Sequence, residues 1–419
     1  NGIREIGQML LVLSPWDDPL PLKRAWCLFE IHNALEESKV SLSIDLPDRE
    51  AVELKESVIV NADCVLQALS DIQAENAKAT SVSDRELIFR TITNSAGGFF
   101  SVNQGVKNEL RTWYVNKLKN LVKEEPENPQ LLASSGRDMY GFAFYDDAMS
   151  HFNHATNIYL ATKGEKSLHT AMQYYNMACV YHDKRLLERA IEFHNISLAI
   201  RLDICGDDHP DIALSYEGIA NVYLTRGEHE EALIHLHKSL EIRNREYSTT
   251  AGPTVELGNL HLVMANVYRE RSNVLKALNY YMKSLAIFQA RLGDNHPNLA
   301  SSYIGIANVY YEKGNLDKAL EYYSKSAEIQ LGTLGENNPG VARTFNNMAI
   351  VHYQRRDTDK ALEFYNKSLA IKRQCFGEQH PSIADTFYNL QLLYKSMGNL
   401  KQAAEYTRKA EDIRQKMSS

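Results

Sequence analysis

Cysteine is scarce and scattered. The five in the chain (Cys27, Cys64, Cys179, Cys205 and Cys375) are an odd number, lie far apart and form no Cys-x-x-Cys pair. That spacing excludes a disulfide framework and a zinc knuckle, and the thiols read as reduced groups in a cytoplasmic chain. Long hydrophobic runs are missing as well. Met9 to Leu13 is the longest apolar stretch near the start, far short of the roughly 18 apolar residues that a membrane span requires; neither an export signal nor a membrane partner is expected. There is no basic excess either: 46 Lys and Arg stand against 53 Asp and Glu, interspersed, for a net charge of −7. A nucleic-acid partner is thereby excluded, because phosphate binding needs a basic face. No glycine-rich phosphate loop, HExxH or GxSxG occurs, so the usual nucleotide, zinc-protease and serine-hydrolase chemistries have no foothold. His151 and His154 share a helical face and His235 and His237 do not. Neither pair has carboxylates and thiols at ligand spacing, so no metal and no cofactor are expected.

What the chain has is recurrence. Ala220, Ala232 and Ser239 are followed by Ala265, Ala277 and Ser284, by Ala307, Ala319 and Ser326, and by Ala349, Ala361 and Ser368. The first members step by 45, 42 and 42 residues, and the register extends back through Ala178, Ala190 and Ser197 and forward through Ala403 and Ala410. The implied unit is a helix pair in which small residues let the two backbones approach. Local punctuation agrees: Pro297 opens a first helix, Gly314-Asn315 breaks it, Asp317 lies early in the second, and Gly335 stops that one before Asn338-Pro339. Gly206 with His209-Pro210, Gly293 with His296-Pro297 and Gly377 with His380-Pro381 repeat the same ending. Tyr223, Tyr268, Tyr310 and Tyr394 fall three residues after the first small position and are expected inside the stack. Gln391 replaces the small residue in the last unit, as suits a cap.

The period, the small residues, the tyrosine before the turn and the Gly-x-x-His-Pro loops resemble the tetratricopeptide repeats (TPRs) of kinesin light chains. The resemblance covers about 168–417 and predicts a mainly α chain, a TPR α-solenoid with a partial α/β module at its amino terminus. Six units of about 42 residues are expected over 168–417. A degenerate first repeat or cap over 130–165 is suggested by Ala148, 42 residues before Ala190. Such arrays present a long concave surface to a partner.

In arrays of this kind the residue after the first small position points into the groove. Here that register reads Cys179, Asn221, Asn266, Asn308, Ile350 and Leu392. Three asparagines in line, about 10 Å apart by helix packing, suit an extended peptide, because one carboxamide both donates and accepts. Asn346 one turn earlier, and Arg269, Tyr311 and Tyr353 one turn later, complete the candidate peptide-binding residues. Arg269, Arg343 and Lys395 favour acidic ligands, and Glu217, Glu270 and Glu312 offset them. Kinesin light chains also carry a long heptad coiled coil for the motor heavy chain. No such heptad run occurs here, so the heavy chain is not an expected partner.

All three tryptophans (Trp16, Trp26, Trp113) precede residue 120, and Lys-Glu-Glu-Pro-Glu-Asn-Pro at 123–129 marks a junction. Before it, Met9–Ser14 reads as a buried parallel strand, 22–37 as a helix and Val40–Leu46 as a second strand. That βαβ unit (1–48) precedes a helical extension (49–125) with a loop at Asn94–Gly98. Leu11-Val-Leu-Ser-Pro followed by Arg24-Ala-Trp-Cys-Leu-Phe-Glu30-Ile resembles the middle of a TIR-type domain over about residues 3–46. The resemblance implies a catalytic carboxylate for NAD cleavage at Glu30; the residues by themselves read as core at Trp26 and Cys27 and a surface position at Glu30. Because the chain opens on Asn1 and enters a strand almost at once, it is expected to begin inside a larger protein.

The function expected is a non-enzymatic scaffold that binds a peptide or protein in the concave groove. The alternatives are a TIR-like NAD-cleaving enzyme under a TPR sensor and a cargo adaptor of the kinesin light chain kind.

Overall fold

A computed structural model describes residues 8–13, 23–36, 41–60, 77, 82–94, 98–249 and 252–418. They form two compact bodies that divide between Arg226 and Gly227.

In the amino-terminal body, β1 (Gln8–Val12) and β2 (Ser41–Asp45) pair in parallel, Gln8 opposite Ser41 and Val12 opposite Asp45. The helix α1 (Ala25–Glu36) connects them. The apolar run is not buried on both faces as read: Leu11 and Leu13 are buried, whereas Leu10 is 61% and Val12 44% exposed. Successive strand residues point to opposite faces, and among the described residues it is the face carrying Leu11 and Leu13 that is covered. Three helices follow: α2 (Asp48–Val60), α3 (Val82–Asn94) and α4 (Gly98–Glu124). Ser14, Pro15, Trp16, Cys64 and the interior of the Asn94–Gly98 loop lie outside the described residues.

Five residues of α4 spaced four apart (Val102, Val106, Leu110, Tyr114 and Leu118) are all buried, which is the stripe that a helix turns toward a core. One apolar cluster runs from Leu11, Leu28 and Ile31 through this stripe to Met139, Phe152 and Val180. The strands therefore share a core with the first helix pairs. Within that core the Tyr114 hydroxyl donates to Asp138 Oδ2 at 2.6 Å. The pairs themselves are α5 (Pro129–Gly141) with α6 (Tyr145–Lys163) and α7 (Leu168–Asp183) with α8 (Leu187–Cys205); α9 (Pro210–Arg226) completes the body.

The carboxy-terminal body opens with α10 (His229–Thr249). It continues as the pairs α11 (Val255–Glu270) with α12 (Val274–Leu292), α13 (Pro297–Glu312) with α14 (Leu316–Leu334), α15 (Pro339–Gln354) with α16 (Thr358–Phe376), and α17 (Pro381–Ser396) with α18 (Leu400–Ser418). Every Ala of the register from Ala178 to Ala361 is 0% exposed, so each first-position Ala leaves no room for a larger side chain. Serine is more than small. Ser197, Ser326 and Ser368 donate to the carbonyls of Ala171, Ala300 and Ala342 at 2.7, 3.1 and 2.7 Å, tying the second helix of a unit to the first.

Caps set the helix ends. Asn128, Ser167, Thr254 and Asn338 accept backbone N–H groups at the starts of first helices, and Asn273, Asn315 and Asp357 do so at the starts of second helices. His296 and His380 join them with the imidazole as acceptor, which explains the His of the His-Pro loops. Tyr268, Tyr310 and Tyr394 stack on Tyr280, Tyr322 and Tyr406, centroids 5.4, 5.7 and 5.5 Å apart.

Junctions between units carry buried polar bridges. Arg201, 0% exposed, donates to the Asp211 carbonyl and to Ser215 Oγ, both at 2.7 Å. Lys372 donates to the Ser382 carbonyl at 2.9 Å and to Thr386 at 2.8 Å, and Gln330 accepts from Thr344 at 2.8 Å. Partners of the same kind recur ten and fourteen residues downstream. Burial holds the Lys372 ammonium below its ordinary range.

Candidate functional site

The exposed faces of the first helices carry the candidate residues. Asn221 and Asn266 are exposed, Asn308 and Asn346 half-buried. Two of the asparagines have one acceptor site already taken. Tyr281, fully buried on α12, donates its hydroxyl to Asn266 Oδ1 at 2.6 Å, and Tyr323 on α14 does the same to Asn308 Oδ1. The carbonyl is thus held from within, which fixes the direction of the amide nitrogen. Burial raises both phenols above the ordinary tyrosine range, which keeps them protonated as donors. In the next unit Ile350 takes the asparagine position, while Tyr365 remains buried beneath it. Asn346 instead accepts from Asn389 of the following first helix at 3.3 Å.

The residues one turn later are engaged with their neighbours. Arg269 donates to Glu312 at 2.8 Å and Gln354 donates to Tyr311 at 2.8 Å. In the amino-terminal body Tyr140 donates to Asp183 at 2.8 Å, and His182 Nε2 meets Thr225 Oγ1 at 2.7 Å. All four pairs span 43 residues. They join the position four after the small residue of one first helix to the position five after it on the next. Arg269 is consequently neutralised by Glu312, the offset foreseen in the charge balance. Tyr353 packs half-buried against the cluster holding Ala349, Tyr365 and Leu369. Asn221 lines a cavity of about 430 Å³ in the amino-terminal body.

Glu30 is exposed on α1, and Cys27 beside it is half-buried, its thiol raised chiefly by burial. Among the described residues no cluster of three His, Cys, Asp or Glu is placed to hold a metal ion, and no helix is long and apolar enough to cross a membrane.

The sequence reading missed the tyrosine partners of the asparagines. Their signal was present: Tyr281, Tyr323 and Tyr365 each stand four residues after the second-helix alanine. The 43-residue ladder had no such signal, because its residue types change at each rung.

Paired helices, small-residue crossings and outward first-helix faces define an α-solenoid repeat protein. The tetratricopeptide repeat profile matches residues 173–245, 256–331, 301–374 and 340–416, more than half of the sequence. The chain belongs to the tetratricopeptide repeat family. Among curated proteins it resembles the clustered mitochondria protein homolog of Culex quinquefasciatus, 23% identical over 177 residues. That match covers 42% of this chain and 13% of the mosquito protein, so the chain spans well under two thirds of that relative's length. Among solved structures, the apo form of the quorum sensor NprR from B. thuringiensis superposes with a TM-score of 0.55 at 16% identity, covering 87% of this chain and 98% of that one. A kinesin light chain-type structure of nearly identical TPR-like repeats from Podosopora anserina gives a TM-score of 0.42 at 21% identity, covering 49% and 96%.

Proposed function

We propose that this chain is a non-enzymatic scaffold whose first-helix faces bind an extended peptide segment of a partner protein. The observation that carries the reading is the pairing of Tyr281 with Asn266 and Tyr323 with Asn308. A carboxamide fixed by its oxygen keeps its nitrogen aimed without losing further side-chain entropy on binding. Two such donors on successive repeats match a ligand whose backbone carbonyls recur at intervals. Family membership supports the same reading, since stacked repeats offer extended surfaces for partners.

The test is selection of random displayed peptides on the full chain, with affinities measured by fluorescence anisotropy. Asn266→Ala/Asn308→Ala should weaken the hits by about tenfold or more. Unchanged affinity for every hit would refute the groove assignment.

Two finer readings belong here. The parallel βαβ order of β1, α1 and β2 supports a TIR-like module, and in that reading Glu30 is the residue to test: NAD turnover by the full-length gene product should be lost in Glu30→Ala. A relationship of the kinesin light chain kind, with cargo binding and a cytoplasmic setting, rests on the repeat punctuation alone.

A further inference from the structure

We infer that the cavity among α5, α7, α8 and α9 is a pocket for an arginine side chain of a bound peptide, an inference that rests on the peptide-binding reading above. The cavity, about 430 Å³, lies within the amino-terminal body and is lined by Tyr140, Tyr175, Cys179, Asp183, His194 and Asn221, among others. Its volume holds one long side chain and the adjoining backbone.

Charge decides the ligand class. Asp183 is the only carboxylate in the lining, and neither Lys nor Arg lines it. The carboxylate is held in place: Oδ2 accepts from Tyr140 at 2.8 Å, and Oδ1 lies 3.1 Å from His182 Nδ1. It is still 35% exposed, and each oxygen keeps a second lone pair for a guanidinium fork. Glu217 adds negative potential beside Tyr175. Arg201 lies over the Tyr175 ring at 5.3 Å with its Nη1 committed to Asp211 and Ser215.

The remaining walls suit a flat cation. Tyr140 and Tyr175 line the cavity, and aromatic rings favour a planar guanidinium over an ammonium. Burial keeps the Cys179 thiol protonated, pushed up to about 12, and the His194 imidazole neutral, pushed down to about 3. His194 is 2% exposed and its Nδ1 has no hydrogen-bond partner.

Asp183, His182 and Thr225 line up as carboxylate, imidazole and hydroxyl, the order of a hydrolytic triad. The Thr225 hydroxyl, however, donates to the Asn221 carbonyl at 3.0 Å. That proton is directed to a backbone carbonyl and not to His182 Nε2, so the arrangement activates no nucleophile.

The experiment selects short random displayed peptides on the full chain and on Asp183→Asn, then remakes each hit with arginine or with citrulline, its neutral isostere. The wild-type chain should select arginine at a constant place in the hits, and citrulline should weaken binding about tenfold. In Asp183→Asn the difference between the two should fall to less than about threefold. Tyr140→Phe, which removes one hydrogen bond from Asp183 and keeps its charge, should retain the arginine preference, separating charge recognition from general damage to the cavity. Hits without a basic residue, or an arginine preference that survives Asp183→Asn, overturn the pocket and leave peptide binding standing. Failure to select any peptide overturns both.

Discussion

Gly305 and Tyr281 compete for one space: a Cβ built on Gly305 would stand 2.1 Å from Tyr281 Cε1 and 2.4 Å from Cζ. The ring leaves α12, passes beneath the α13 backbone where only glycine admits it, and ends with its hydroxyl on Asn266 of α11. One residue therefore joins the packing of two units to the posture of a candidate binding group.

Gly305→Ala should destabilise the carboxy-terminal body by about 2 to 3 kcal/mol, because overpacking forces the ring off its rotamer or the helices apart. The better helix propensity of alanine, about 1 kcal/mol, does not compensate. Urea denaturation measures the loss, and Tyr281→Leu in the same chain should restore most of it. An undiminished midpoint in Gly305→Ala would show that the ring is not fixed there.

His194 should make the amino-terminal body acid-labile. Burial is the main cause that lowers its imidazole from 6.5 to about 3, with the charges of His182 and Arg201 adding to it. The folded value lies below the unfolded one, so the stabilisation is fully present above pH 6.5 and is lost as pH falls toward 3. Between pH 6.5 and pH 4 the loss should be on the order of 3 kcal/mol. In His194→Gln the denaturation midpoint should vary much less over the same window. An identical slope in both chains would place the acid sensitivity elsewhere.

The turn inside each unit demands a left-handed residue, whichever one occupies it. Gly227, Gly314 and Gly398 meet that demand at φ of 77°, 74° and 76°, whereas Ala143, Arg185, Ser272 and Arg356 adopt 64°, 62°, 57° and 61°. An L residue held there costs about 1 to 2 kcal/mol, partly offset by the greater chain entropy of glycine when unfolded. Ala143→Gly and Arg356→Gly should each stabilise the protein by about 0.5 to 1 kcal/mol in thermal or urea unfolding. A destabilised Arg356→Gly would mean that its side chain contributes more than the backbone strain costs.

How much of this was legible depended on how local the chemistry is. Pro297, Gly314, Asn315 and Gly335 announce helix ends because caps and breakers act within one turn of chain, and the alanine register announces close crossings because Cβ size alone decides them. The first strand misled for the opposite reason: Leu10 and Val12 are as apolar as Leu11 and Leu13, and only the covering layer determines which face is buried. The bond from Tyr281 to Asn266 required knowing that a second-helix side chain reaches back across its own unit. Arg269 was visible as a charge near Glu312, but its engagement depends on the neighbouring first helix, a relation that spacing within one unit does not encode.

The bridges at Arg201, Gln330 and Lys372 fill one structural position with three different chemistries, and the corresponding position between α12 and α13 holds apolar Phe288. Repeats that look interchangeable in their alanines therefore differ in what fills the joint to the next unit. The seats stay alike while their occupants change: Ser215, Thr344 and Thr386 each supply a hydroxyl, so one joint design accommodates a guanidinium, an amide or an ammonium.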